Sequence, residues 1–335
     1  MIEYNYEDYI FLSSRINALS ASLIGNERLE DMLRARTLSE FYRMLEDSGV
    51  KAEKNRYGEL DLDGAVNRRF TDLFLSVLND VPQKQLFSVF TYPYDCHNLK
   101  AAIKCAEKGI KAEELLLPLG SVPSEKIQEC VLSGNFSVFP QNMANAAEEA
   151  RSVYARTRDP QAIDLVIDRA CFADMKESAE ENPVGFFKEA LRAKADQVNI
   201  LTALRLIRMP SVQTDELMRK AYVCGGSLGE EFFSDILTQE SEDREQVLAE
   251  KLIYSGFDKL GHAMSGVHIE LSEAERICNE SYIAALEAAG EALAGAETVA
   301  VYLARLETEA RNLRILLAGK KAGYGEKELS VRLRQ

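Results

Sequence analysis

No stretch of this sequence approaches the roughly 20 consecutive apolar residues of a membrane-spanning helix. The longest apolar runs are short and broken, as at Ile200 to Ile207, which Arg205 interrupts. The opening Met1-Ile2-Glu3-Tyr4-Asn5-Tyr6-Glu7-Asp8 is acidic, with no basic stretch ahead of an apolar one, so it does not read as a signal peptide. Paired cysteines are missing too. Cys96, Cys105, Cys130, Cys171, Cys224 and Cys278 stand apart with no Cys-x-x-Cys, the spacing of reduced, buried cytosolic thiols rather than of a zinc site or a disulfide framework. The three histidines, His97, His262 and His268, are too few and dispersed for a ligand set, and no His-Glu-x-x-His or Asp-Asp pair occurs. Basic residues are outnumbered, 40 Lys and Arg against 54 Asp and Glu, for a net charge of −14. That balance argues against nucleic acid and against a direct lipid anchor, both of which reward Lys and Arg clusters. The expectation is a soluble, cytoplasmic protein; at a membrane, another protein would have to hold it.

Strand patterns are scarce as well. Phe136-Ser137-Val138-Phe139 is the best candidate and is too short to found a sheet. What the chain has instead is helix-forming sequence. Ile127–Val131, Met143–Arg156, Ala162–Ala179, Pro183–Met209 and Leu271–Ala318 mix Ala, Leu, Glu, Arg and Lys with apolar residues at three- and four-residue spacing. Thr37-x-x-Glu40 and Ser272-x-x-Glu275 read as capping boxes, and the eight prolines fall between helical patterns, the last at Pro210. With 335 residues and 46% hydrophobic content, two or three domains with a sizeable core are expected, all-α in class.

An internal repeat is the most informative feature. Asp95-x-x-Asn98-Leu99, Asp196-x-x-Asn199-Ile200 and Glu309-x-x-Asn312-Leu313 each place an acid one helical turn before an Asn. A branched apolar residue follows the Asn, and another apolar side chain (Ile103, Leu204, Leu317) lies at the same later position in each copy. Two charged residues followed by Leu come at nearly the same distance downstream every time, ending at Leu115, Leu217 and Leu329. Arg68 and Arg169 stand equally far upstream of Asn98 and Asn199. The steps from Asn98 to Asn199 and from Asn199 to Asn312 are each close to a third of the chain. Three related helical lobes follow, with approximate bounds 1–122, 123–228 and 229–335.

An acid and an Asn at i and i+3 share one helix face, about 5–6 Å apart at Cβ. Asn is a mediocre helix former, so its triple placement inside a helix needs a reason. The amide can bond a neighbouring helix end or loop while the acid orients it. Alternatively, three converging copies could hold a hard cation, or the pairs could meet a partner. Basic residues accompany each copy: Lys100, Lys104, Lys108 and Lys111; Arg205 and Arg208; Arg311, Arg314, Lys320, Lys321 and Lys327. They read either as solvated helix faces or as three positive docking patches.

No catalytic constellation emerges, and no cofactor is implied. Gly225-Gly226-Ser227-Leu228-Gly229 has the Gly-x-Ser-x-Gly form, with Asp258 and His262 or His268 following in hydrolase order. A serine elbow needs a strand before it, and Asp215–Val223 looks helical. A turn between helices is the plainer reading, and a Ser227 hydrolase is kept as an alternative. Gly319-Lys320-Lys321 lacks the earlier Gly and the Ser or Thr of a phosphate loop.

On the three acid–Asn segments the chain resembles the C-subunit family of archaeal- and bacterial-type V/A-ATPases, related to the d subunit of the eukaryotic vacuolar enzyme. Tyr9 to Leu33 with Ser14-Arg15-Ile16, Leu45-Glu46-Asp47-Ser48 and Gly323-Tyr324-Gly325 are also family-like, and Val50 departs from an aromatic common there. The resemblance implies a funnel of three helical lobes about a pseudo-threefold axis and a non-catalytic rotor component. It implies partners, the D and F subunits of the central stalk and the membrane proteolipid ring, and a place on the cytoplasmic face as a peripheral part of the complex. A cytosolic helical-repeat adaptor is the alternative, although such repeats usually recur every 20–50 residues or so.

Overall fold

The computed structural model describes residues 2–54, 58, 60–209, 213–239, 243–290 and 294–333; Pro210 lies outside these. The described residues are mostly helical: α1 (Ile10–Ser20), α2 (Asn26–Arg34), α3 (Leu38–Asp47), α4 (Leu62–Asp80), α5 (Ser88–Glu107), α6 (Ser124–Ser133), α7 (Gln141–Thr157), α8 (Pro160–Glu180), α9 (Phe186–Ile207), α10 (Thr214–Ala221), α11 (Glu230–Leu237), α12 (Arg244–Ile253), α13 (Asp258–Met264), α14 (Leu271–Ala289), α15 (Ala296–Lys321) and α16 (Glu326–Ser330). One antiparallel two-residue pairing, Glu53–Lys54 with Leu60–Asp61, is the strand content of those residues. Phe136 and Phe139 lie in a turn with both rings buried. The fold class is all-α.

Helix starts follow local chemistry. Thr37 accepts from the Glu40 N–H at 3.1 Å, and Glu40 reaches back to the Arg36 N–H at 2.8 Å. Pro160 sits at the first position of α8, behind an Asp159 cap that accepts from Gln161 N–H at 2.9 Å. Two expectations need correction. α14 begins at Leu271, so Ser272 is inside its first turn instead of capping it. Pro93 lies inside α5, where it removes the donor that would meet Val89 O. The Lys194 ammonium of α9 donates to that carbonyl at 3.4 Å, which satisfies the orphaned acceptor.

The chain divides into two compact units, Met1–Tyr4 with Gln83–Leu271, and Asn5–Pro82 with Ser272–Gln335. In the first, α8 packs on α5 and α7, and α9 packs on α8, α10, α11 and α12. Its core includes Phe87, Phe90, Phe187, Ile103, Ile163, Ile167, Ile200 and Leu204. Phe87 and Phe187 meet edge-on at 5.0 Å. In the second unit, α15 packs on α1, α2, α4 and α16. Met32, Phe41, Leu45, Val66, Leu316, Leu317 and Leu329 form its core, and Val50 is fully buried among them. The Lys320 ammonium donates to the carbonyls of Leu33 and Ala35, both at 2.7 Å, closing the open end of α2. Segments far apart in sequence, α1 to α4 and α14 to α16, thus fold into one unit.

Candidate functional site

The first repeated pair works as a clamp on a loop. Asn98, fully buried in α5, donates its amide to Leu117 O and accepts from Leu117 N–H, both at 2.7 Å. Asp95, one turn earlier and equally buried, accepts from Ser121 N–H at 2.9 Å, Ser121 O–H at 2.6 Å and Val122 N–H at 2.9 Å. Gly120 makes the approach possible: a Cβ there would lie 2.1 Å from Asp95 Oδ1. The next residue after the amide, Leu99, is buried in the core.

The second pair repeats this arrangement. Asn199 of α9 donates to Val223 O at 2.8 Å and accepts from Val223 N–H at 2.9 Å. Asp196 accepts from Ser227 N–H at 2.9 Å, Ser227 O–H at 2.5 Å and Leu228 N–H at 2.9 Å. Gly226 stands where Gly120 stands, its Cβ position 2.3 Å from Asp196 Oδ1. Ile200 is buried beside it. Val122 and Leu228 each sit just ahead of a helix, α6 and α11 respectively, so each clamp fixes the entry of the chain into the next helix.

The third carboxylate grips a loop from the far end of the chain. Glu309 of α15 accepts from Ile24 N–H at 2.6 Å, and Ile24 stands just ahead of α2. Its other oxygen accepts from Arg69 Nε at 3.0 Å, and Arg69 Nη2 also donates to Ser22 O at 3.0 Å. Ser22 and Leu23 occupy the places of the Gly-Ser pairs, so the serine hydroxyl is gone. The longer Glu and the Arg69 guanidinium make up the missing contacts. Asn312 and Leu313 are buried on the same helix.

Each net hydrogen bond of this kind contributes about 0.5–1.5 kcal/mol, and leaving a buried donor unmet costs about 1–3 kcal/mol. Asp95 and Asp196 each accept from three donors of the loops they hold. Among the described residues, no group of three or more His, Cys, Asp or Glu side chains could hold a metal.

Most of the basic residues near the motifs are occupied inside their own unit. Lys100 pairs with Asp168 and Lys104 with Asp164, both at 2.5 Å. Arg208 pairs with Glu245 and donates to Ile269 O at 2.7 Å. Arg311 donates to Asn279 at 3.3 Å and Arg314 to Asn67 at 3.0 Å, while Lys321 pairs with Asp63 at 2.5 Å. These cations tie helices together. Lys108, Lys111 and Lys327 remain exposed.

Ser227 gives its hydroxyl straight to the Asp196 carboxylate, with no imidazole between them. His268 faces Glu245 at 3.4 Å, and His262 lies on the same short helix as Asp258. A nucleophile needs an adjacent base to take its proton, and this serine has a loop-holding carboxylate instead. The hydrolase alternative loses its support.

Sequence reasoning passed over two residues. Arg69 carries the contact to Glu309, whereas its neighbour Arg68 only reaches Asp61 at 3.3 Å and is exposed. Asp174 of α8 accepts from the N–H groups of Asn142 and Met143 at 2.9 and 2.8 Å, capping α7, which starts behind Pro140 and has no cap of its own. A helix entered through proline with no Ser, Thr, Asp or Asn before it was the available signal.

Burial raises the Asp95 carboxyl above its ordinary value of 3.8, against the opposing pull of its hydrogen bonds from Ser121 and Val122. The stability from its extra proton affinity is therefore full below that ordinary value and lost as pH rises through the higher folded value. The unfolding free energy of the parent minus that of Asp95→Asn should shrink as pH rises through this window, as read by urea titrations. A difference that widens with pH would contradict the assignment.

The described residues are mostly helical, their buried acids hold loops, and Ser227 is bound to one of those acids. The chain is a member of the ATP synthase (C/AC39) subunit family, whose model matches residues 12–330. It is similar to the C subunit of the V-type sodium ATPase of Enterococcus hirae, 20% identical over 328 residues that cover 98% of each chain. It is 24% identical over 348 residues to the C subunit of the A-type ATP synthase of Halorubrum lacusprofundi, covering 96% of each. To the C subunit of the V-type ATP synthase of Thermus thermophilus it is 22% identical over 210 residues, 60% of this chain and 64% of that one. The family is a non-catalytic component of rotary V/A-type ATPases, so this chain is a rotary-ATPase subunit and not itself an enzyme. No helix of its described residues is long and apolar enough to cross a membrane.

Proposed function

We propose that this chain is a rotor part that couples the central stalk, built by the D and F subunits, to the membrane proteolipid ring during ATP-driven or ATP-synthesising transport of protons or sodium ions. The observation that carries the reading is the loop clamp, met twice in matching detail and a third time in altered form, at steps of about a third of the chain. A torque coupler has to be stiff across its whole body, and clamps that join helix to loop supply stiffness without a ligand pocket. On this reading the three lobes surround a pseudo-threefold axis in a funnel. Each lobe is one motif helix with the helices that follow it, so the bounds 1–122, 123–228 and 229–335 shift: the third lobe is completed by the early part of the chain, where Ile24 meets Glu309. With a charge of −14, the chain would be held at the cytoplasmic face by protein contacts rather than by anionic lipid.

The test is a pull-down from detergent-solubilised membranes of the native host with the tagged full chain. Recovery of both central-stalk subunits and a small proteolipid is expected. A chain that brings down neither would overturn the coupling role and favour the adaptor reading.

A further inference from the structure

The contact between α5 and α8 is a polar ladder. Cys96, Lys100 and Lys104 lie one helical turn apart along one face of α5, and Asp164, Asp168 and Cys171 line the facing side of α8. Lys104 meets Asp164 and Lys100 meets Asp168, both at 2.5 Å. One rung on, the Cys96 thiol donates to Asp168 Oδ1 at 3.1 Å, and Cys171 stands next to it on α8. Cys171 lies one helical turn beyond Asp168 on α8, on the side that faces Cys96. The two cysteines are only 4% and 2% exposed, and both are free thiols.

We propose that Cys96 and Cys171 are a disulfide-forming site, closed by a two-electron oxidant of the azo class such as diamide, which cross-links α5 to α8. The ladder holds both sulfurs in register, and the site comes with an acceptor and a cation. Asp168 lies on the Cys96 S–H, and Lys100, bound to the same oxygen, sits beside the thiolate that would form. In the first step the proton leaves Cys96 and its sulfur adds to one nitrogen of the N=N bond, the other nitrogen taking up a proton. In the second, Cys171 sulfur attacks Cys96 sulfur, the S–S bond forms and the S–N bond breaks. The departing hydrazo compound takes the second proton. Two thiols are oxidised by two electrons and the azo bond is reduced by the same two.

The reaction will be slow and faster in alkali. The hydrogen bond with Cys171, and then burial, hold the Cys96 thiol well above its ordinary value, so the attacking thiolate is rare at neutral pH. The oxidant enters only when the helix pair opens locally. Once formed, the bond would fix the helix that carries the first clamp to α8, on which it packs.

The test treats the full native chain with diamide, blocks the remaining thiols under denaturing conditions, and maps the peptides. The expected result is loss of two of the six thiols, a Cys96–Cys171 linked peptide, and a Tm raised by about 5 °C that dithiothreitol reverses. Cys96→Ser and Cys171→Ser should each abolish both the link and the shift. The native chain serves as the primary measurement, so poor folding of a variant would not leave the matter open. Retention of all six thiols, or oxidation confined to the half-exposed Cys224 in cross-linked dimers, would overturn the proposal.

Discussion

Arg69→Met should lower the unfolding free energy by about 3–5 kcal/mol, the cost of breaking a buried ion pair from one side. Glu309 keeps only 4% of its side chain exposed and Arg69 15%, so water cannot replace what is removed. The substitution keeps the aliphatic stem and deletes the guanidinium. Glu309 then holds a full charge against the single Ile24 N–H, and Ser22 O loses its donor as well. Arg69→Lys should fall between, because one ammonium cannot reproduce a fork that reaches a carboxylate and a carbonyl together. Adding Glu309→Gln to Arg69→Met should recover part of the loss, since the uncompensated charge is then gone. The adjacent Arg68→Met is the control. Its pairing with Asp61 has both side chains about 40% exposed, and should cost no more than about 1 kcal/mol. Urea unfolding followed by circular dichroism separates these cases. Equal losses at positions 68 and 69 would remove the third clamp from the account.

The helical class was legible because its signals are local. Periodic apolar residues, the Thr37 cap and the scarcity of alternating strands each concern a few neighbouring positions. The acids and asparagines could be singled out because they recur. Their partners could not be, because the distance from motif to loop is not constant. Asn98 reaches 19 residues ahead and Asn199 reaches 24, while Glu309 bonds a residue 285 positions back. The same problem hid Arg69. Equal spacing ahead of the asparagines aligns Arg68 with Arg169, yet α4 packs on α15, so the arginine that matters is chosen by a helix 240 residues away. Local chemistry alone makes Pro93 a helix boundary. The local rule fails because Lys194, 105 residues on, supplies the donor that the proline removes. In each case a local rule gave the residue type and a distant contact decided its use.

Gly226→Ala and Gly120→Ala should each cost about 3 kcal/mol, and for a reason that distinguishes a clamp from an enzyme's serine elbow. At Gly226 the new Cβ would lie 2.3 Å from Asp196 Oδ1 and 3.3 Å from the Asp196 backbone nitrogen. At Gly120 the corresponding distances to Asp95 are 2.1 and 3.1 Å. Backbone on the helix side cannot retreat, so the carboxylate has to rotate away. In doing so it gives up the two N–H donors and the serine hydroxyl that it holds, leaving buried donors unmet in addition to the strain. Gly229, the closing glycine of the same Gly-x-Ser-x-Gly string, has nothing within 4 Å of its Cβ position and an ordinary backbone angle. Gly229→Ala should therefore change stability by no more than about 0.5 kcal/mol. Ser227→Ala retains both backbone donors to Asp196 and forfeits one hydroxyl, so about 1 kcal/mol is expected. Thermal unfolding of the four variants ranks them. The clamp requires the two glycines facing carboxylates to be costly, Ser227 to be mild and Gly229 to be silent. If Gly229→Ala proved as damaging as Gly226→Ala, the loop would be shaped by something other than Asp196.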